Sequence, residues 1–591
     1  MAALFTTPKR NDKTSGAHFV EPDVRRRTLL AHGSWRRVTR RIVVGAVCAL
    51  TVSSLLMPTV SLAAERVNVG DTWYEAGAAV GDEAGTWAWD GADDMKLNGY
   101  NGGAIEAEGK LNVNYSGNNT VANDSGCGIS VTKDTDGNAE LNIQGDASST
   151  LNVTSSSDAI WSEGDINIDE AGTVNATSAE GDAIDAKGGL AIKGSGNVNA
   201  TGESNGIRAH DDITIDNSGT IAAKATRNPG INAHNSLTVK GDGKVEASSI
   251  EDNAIWADGN IEISGGSQVK ANSEEDSAVI STYKLTVTNA SLNASGAKYG
   301  VHAFGVVTFD HATVTVRAST GGGWQTIALI TDEDDIVIKN GSIVDTFAEG
   351  QFSTAIFTRN YYPNEAGGHI YISDSVVKAI ARYVESGSDG PDHYSNDQSG
   401  AVIPEHRGMN IGIFARTKEG ITPATISIVR SKVTAEGDTA AIFALAVSAD
   451  GETIGTIEIE GAPIQTPTGG KIIGYRNKEE LDDGIFYVVG QTIGTGDAVI
   501  DSPYNEAVAK STVIAPPEEI KPEEKPGETK PEGSKSEGTK TTKTVAVAAT
   551  GAKIAGKLAA TGDASSAAIV AAALAGTAAI AAGAVVSRKR S

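Results

Sequence analysis

From Ile160 onward an aliphatic residue recurs at Ile160, Ile184, Ile207, Ile231, Ile255, Val279 and Val301, at spacings of 24, 23, 24, 24, 24 and 22. A second set of alternating pairs follows it: Ile166/Ile168, Leu190/Ile192, Ile213/Ile215, Leu237/Val239, Ile261/Ile263, Leu285/Val287 and Val307/Phe309. A third set runs Val174/Ala176, Val198/Ala200, Ile221/Ala223, Val245/Ala247, Val269/Ala271, Leu292/Ala294 and Val314/Val316. Period-two apolar positions are the mark of strands, and the Gly, Asn, Asp and Ser turns between them leave no room for a helix. One such strand buries only one side of two or three residues. The unit is therefore stable when the next turn of chain stacks on it at about 4.8 Å. The pattern predicts an all-β, right-handed parallel β-helix with three strands per rung of about 24 residues, the hand following the rule for parallel crossovers.

Ile105 and Ile129 extend the series upstream at a spacing of 24, with a seven-residue excess before Ile160 that reads as a loop. Downstream it continues through Leu329, Ile336/Ile338, Ile356, Ile370/Ile372, Ile413, Ile426/Ile428, Ile442 and Ile457/Ile459. About thirteen rungs result, a stack of roughly 60 Å at the strand spacing. A stacked coil leaves open edges at its ends, so caps are expected. Residues 65–102, with Trp87 and Trp89 beside Met95 and Leu97, suit the first; the coil takes 103–470, and 471–514 suit the last.

Composition agrees with a small-residue interior. The chain is 39% hydrophobic but only 5% aromatic, which fits stacked Ile, Val, Leu and Ala, and its 68 glycines suit tight corners. A net charge of −26, with basic residues gathered at the two ends, excludes nucleic acid as a partner of the middle.

The ends read as addresses. In residues 1–64, Arg36, Arg37, Arg40 and Arg41 lead into the apolar stretch Ile42 to Leu56, followed by Ser61-Leu62-Ala63-Ala64. That is an N-terminal extension and export signal, cut after Ala63 or Ala64. Cys48 leaves with it, so the mature chain keeps Cys127 alone and forms no internal disulfide. Residues 515–557 form a Pro/Glu/Lys-rich spacer with little to bury. Residues 558–591 hold Leu558-Ala559-Ala560-Thr561-Gly562, the apolar stretch Ala567 to Val586, long enough to cross a bilayer, and the basic finish Arg588-Lys589-Arg590.

This order resembles the cell-wall sorting signal of Gram-positive surface proteins, whose L-P-x-T-G pentapeptide is cut by a sortase between Thr and Gly. Leu558, Thr561 and Gly562 match, and Ala559 stands for the proline as in the L-A-x-T-G variant of some high-GC Gram-positive bacteria. The resemblance implies sortase as a processing partner and covalent linkage of Thr561 to peptidoglycan. It also implies an outer-surface location, with membrane contact only through the C-terminal segment before sorting. The segment TWAWDGADDMKLNGYNGGAIEAEGKLNV, Thr86 to Val113, resembles the start of bacterial surface proteins described as carbohydrate-binding-domain-containing and adhesin-like. This second resemblance implies surface location, the coil fold and a glycan or host surface molecule as partner.

Between the inward positions, the second and third strands carry bland Asn and Thr residues. The first strand instead sends out Trp161/Glu163, Asp185/Lys187, Arg208/His210, Asn232/His234 and Trp256/Asp258. Aromatic faces flanked by charged and amide groups are what a sugar needs, its C–H face stacking while its hydroxyls find polar partners. Trp161, Glu163, Asp185, Arg208, His210, Asn232, His234, Trp256 and Asp258 are thus the candidate ligand residues; the bland reading is tryptophans packed under a corner loop. Catalysis by a polysaccharide lyase or glycoside hydrolase would need facing carboxylates, or a base with Arg and a metal. Asp185 with Arg208 and His210 is the best such cluster, but no second carboxylate is set by a motif, so no catalytic residues, metal or cofactor are expected. His210 and His234 lack a third donor for a metal. The acidic loop Ser386 to Gly400 matches no calcium-ligand pattern, and Asp332 to Asp335 reads as an acidic turn. The expectation is a non-catalytic, wall-linked adhesin or glycan binder, with a wall-anchored polysaccharide-degrading enzyme or a passive coat protein as alternatives.

Overall fold

The computed structural model describes residues 63–319, 325–360, 367–384, 410–418, 424–437, 440–447, 455–462, 464–466, 473–475, 505–508 and 511–515. Contacts divide the chain into Met1–Val60 and Ser61–Ser591, and every described residue belongs to the second unit. The export signal up to Leu62, the loop Ser386 to Gly400, the spacer beyond Ala515 and the sorting tail lie outside the described residues.

Among the described residues the chain is all strand and turn, with no helix, and it builds three long sheets of parallel-stacked strands. Each turn of chain visits the three sheets in the same order, giving a repeat-rich architecture like a parallel β-helix. In sheet one the recurring aliphatics lie directly over one another. Ile105, Ile129, Ile160, Ile184, Ile207 and Ile231 are successive register partners. The column runs on through Ile255, Val279, Val301, Leu329, Ile356, Ile413 and Ile442. Equivalent columns fill sheets two and three, for example Leu190–Ile213–Leu237 and Val174–Val198–Ile221. All three feed one apolar cluster that extends from Ala64 to Ile514. Period-two alternation therefore folds as the physics of a half-buried strand requires, every second side chain inside.

The excess before Ile160 is a turn between Ile129–Thr132 of sheet one and Glu140–Gly145 of sheet two. It is closed by Asp134, whose carboxylate accepts the Asn138 amide at 2.7 Å. The following rung returns to register, so the insertion bulges outward without disturbing the stack.

The corner between sheets two and three repeats one backbone conformation. Gly241, Gly265, Asn289, His311, Asn340, Asp374, Arg430 and Gly461 all have φ between 45° and 94° on successive rungs. Glycine takes this left-handed region freely, and Asn and Asp tolerate it better than other side chains. At Gly241 (φ 94°) an added Cβ would also meet the Asn217 carbonyl at 2.7 Å. Gly241→Ala is therefore expected to cost about 1–3 kcal/mol, read as a lowered denaturation midpoint. An unchanged midpoint would show that the corner relaxes.

Antiparallel pairs lie near both ends of the described stack, while most of the segment 471–514 lies outside the described residues. Arg66–Val69 pairs with Ile105–Glu108, and Trp87–Trp89 pairs with Asp94–Asn98. Asp94–Asn98 itself stacks in parallel on Lys110–Ser116, so coil-like pairing starts inside the segment 65–102. At the far end Ser511–Ile514 and Asn505–Val508 run antiparallel to the last strands of sheets three and one.

Outside the coil, amide ladders bind rung to rung. Asn142 Nδ2 donates to Asn112 Oδ1 (2.8 Å) and Asn167 Nδ2 to Asn142 Oδ1 (2.9 Å) on sheet two. Asn175 and Asn199 continue the same pattern from Asn152 on sheet three, at 2.8 Å each. Asparagine fits because its amide offers a donor on one side and an acceptor on the other.

Candidate functional site

The outward side of sheet one divides into two parts. Its C-terminal part is apolar: Ile330, Phe357, Phe414 and Phe443 form a second cluster, distinct from the interior, and all are buried. The rings stack nearly parallel, Phe357 on Phe414 at 4.9 Å and Phe414 on Phe443 at 5.4 Å. These strands are buried on both faces and accordingly read as continuous apolar runs, such as AAIFA over 440–444.

The N-terminal part is polar and holds the candidate ligand residues. Trp161, Asp185, Arg208, Asn232 and Trp256 are successive register partners, one column of outward side chains. Glu163, Lys187, His210, His234 and Asp258 follow two positions later, each backbone amide donating to the preceding rung. The two columns thus lie side by side as the sequence predicts, at the strand spacing of about 4.8 Å per rung.

Burial within the strip is uneven. Trp161 and Trp256 are half-buried rather than open. Asp185 is 1% exposed although its backbone position faces outward. The reason is Lys187, which reaches back to donate to Asp185 Oδ2 at 2.6 Å and lies 3.2 Å from His210 Nε2. Asp185 Oδ1 is buried with no hydrogen-bond partner, 4.0 Å from His210 Nε2. Burial, and then the charges of Lys187 and Arg208, push His210 below the usual histidine range. Its ring stacks on that of His234, with centroids 5.0 Å apart. His234 Nδ1 is 3.6 Å from Asp258 Oδ2, so the two imidazoles engage opposite neighbours rather than a shared centre.

Beneath the strip, at the corner entering sheet one, an acidic ladder supports the rungs. Asp158 Oδ1 accepts the Asp182 amide (2.8 Å), and Asp182 Oδ1 accepts both the backbone and side-chain amides of Asn205 (2.7 Å each). Burial, and the neighbouring Asp182 and Asp185, push the Asp158 carboxyl up. Asn205 Oδ1 in turn takes Asn232 Nδ2 at 3.2 Å. At the far end Trp256 Nε1 donates to Asp258 Oδ1 at 2.9 Å. At the near end Glu163 Oε2 accepts the Lys133 amide at 2.7 Å.

Three rungs' worth of chain beyond Trp256 the strip ends in a group that the acidic-turn reading of Asp332 to Asp335 misses. Asp332 accepts from Arg359 Nε at 2.5 Å and pairs with His302 Nε2 at 2.9 Å. His302 lies between Tyr299, edge-on at 4.9 Å, and Phe304, stacked at 4.8 Å. The partners come from three different rungs, so no local motif announces them. Among the described residues one acidic group brings its oxygens within 4.8 Å, Asp90, Asp93 and Asp94. There Asp90 Oδ1 already closes a turn by accepting the Ala92 and Asp94 amides.

Comparison with protein families, curated proteins and solved structures finds no match to this chain.

Proposed function

We propose that the chain is a non-catalytic glycan-binding adhesin of a Gram-positive cell surface. In this reading the stack is a right-handed coil closed by its end strands. Residues 515–557 carry it across the wall, and sortase joins Thr561 to peptidoglycan. Cleavage after Ala63 or Ala64 keeps the strand Arg66–Val69 in the mature chain. The observation that carries the binding role is the polar strip of sheet one. Two half-buried tryptophans stand four rungs apart on one column, with Arg208, Asn232, Lys187 and the stacked histidines between them. Indole faces offer a platform to sugar C–H groups, and the groups between them are hydrogen-bond donors and acceptors held rigidly by the rungs. Asp185, the best acid for chemistry, is covered by Lys187 and buried, which argues for a supporting role over proton transfer.

A glycan array probed with the whole chain in mild detergent tests the reading. Trp161→Ala combined with Trp256→Ala is expected to weaken the strongest signals by at least about tenfold. Unchanged signals in the double variant discard the strip as the site. Retention of Thr561→Ala in the wall fraction, undiminished, discards the anchoring.

A further inference from the structure

The polar groups of the strip differ in how far they are already satisfied, and resting on the glycan reading this identifies the class of sugar. At the Trp256 end the indole N–H is bonded to Asp258, and Asn232 is bonded to Asn205. On the two rungs that follow Trp161, up to the middle of the strip, the cations are under-used. Arg208 has its Nε buried without a hydrogen-bond partner, and its contact with Asp182 is long, 3.6 Å from NH1 to Oδ2. A guanidinium has five donors in a planar fork, and the single long contact with Asp182 leaves donors over for a ligand. Lys187 commits its ammonium to Asp185 and His210, which still leaves one of three protons.

The charges are also layered. The side chains of Asp185 and Asp182 are 2% and 6% exposed, whereas those of Lys187 and Arg208 are 35% and 27% exposed. A molecule arriving from solvent therefore meets ammonium and guanidinium first, with the aspartates below orienting them and balancing their charge. Asp158, the third acid of the group, is tied to the Asp182 amide.

We infer that the strip takes an acidic sugar, its ring on Trp161 and its carboxylate on the Arg208 fork with Lys187 beside it. A carboxylate supplies the planar pair of acceptors that matches a guanidinium, which a lone hydroxyl does not. Arg208 lies two rungs from Trp161, about 10 Å along the column. The guanidinium reaches back toward Asp182 on the preceding rung, 3.6 Å from its Oδ2, which shortens that span to the scale of one pyranose with its carboxyl group. The chain's net charge of −26 disfavours long-range attraction of such a ligand, so recognition acts at contact.

The test uses the whole chain and three acidic polymers, polygalacturonate, hyaluronan and polysialic acid, each beside its methyl-esterified or amidated form and with dextran as a neutral polymer. Binding to at least one acidic polymer is expected, about tenfold or more tighter than to its neutralised form. Arg208→Gln is expected to remove that preference. Arg208→Lys, which keeps a cation over Asp182 and so protects the fold, is expected to weaken binding several-fold, while Thr308→Ala on sheet two leaves it unchanged. Equal or tighter binding to the neutralised forms or to dextran overturns the acidic-sugar inference and leaves the glycan reading standing. So does an acidic preference that survives in a folded Arg208→Gln variant. Absence of binding to every polymer and on the glycan array overturns both.

Discussion

Ile231→Ala is expected to destabilise the stack by about 2–5 kcal/mol, because the site cannot collapse around the lost atoms. Ile231 is 0% exposed and lies in register between Ile207 and Ile255, themselves fixed by the rungs above and below. Closing the gap would require two rungs to approach within the hydrogen-bonded strand spacing, which the ladders forbid. A coil of this kind is quasi-one-dimensional, so the loss is expected to concentrate near the altered rung. Hydrogen exchange should speed most in residues 207–257 and little in the distant rungs near Ile105. Ile250→Ala is the contrast, since Ile250 is 42% exposed and should change stability by less than about 0.5 kcal/mol. Equal effects at Ile231 and Ile250 would show that the aliphatic column is not the source of stability.

Why the stack was so legible follows from the same column. A parallel coil places residue i against residue i plus one rung, so burial writes itself into the sequence at a fixed spacing. Ile105 to Ile442 could be aligned because each fills the same interior position. Outward positions obey no such rule. The aromatic stack Phe357–Phe414–Phe443 follows inward Ile356, Ile413 and Ile442 by one residue each, yet insertions make its spacings 57 and 29. Reading one position past each inward mark beyond Phe304 would have found it. The burial of Asp185 had no such signal. Its backbone register is outward, and what covers it is Lys187 folding back rather than extending. Charged side chains with several rotamers are settled by neighbours on other rungs, here His210, and not by local pattern.

Asp332 is the clearest case of a residue settled by distant neighbours, and Asp332→Asn is expected to cost about 2–4 kcal/mol at neutral pH. Its side chain and those of His302 and Arg359 are 13%, 10% and 21% exposed, so solvent compensates little for a lost carboxylate. Burial alone would push the Asp332 carboxyl up, but the His302 hydrogen bond and the charges of His302 and Arg359 outweigh it and hold it down at about 2. Because the folded value lies below the ordinary 3.8, the carboxylate's contribution is fully present above about pH 4 and is lost as pH falls toward 2. That contribution is on the order of 2 kcal/mol. Other acids act in the opposite sense: burial raises Asp158, Glu170 and Asp252, so their charged forms oppose folding at neutral pH. Stability should therefore rise as pH falls from neutral through their raised values, then drop below about pH 4 as Asp332 takes up its proton. In Asp332→Asn the rise should remain while the drop becomes shallower. Denaturation midpoints from pH 7 to pH 2 separate the two limbs, and a variant whose acid limb is as steep as that of the parent protein would show that Asp332 does not carry it.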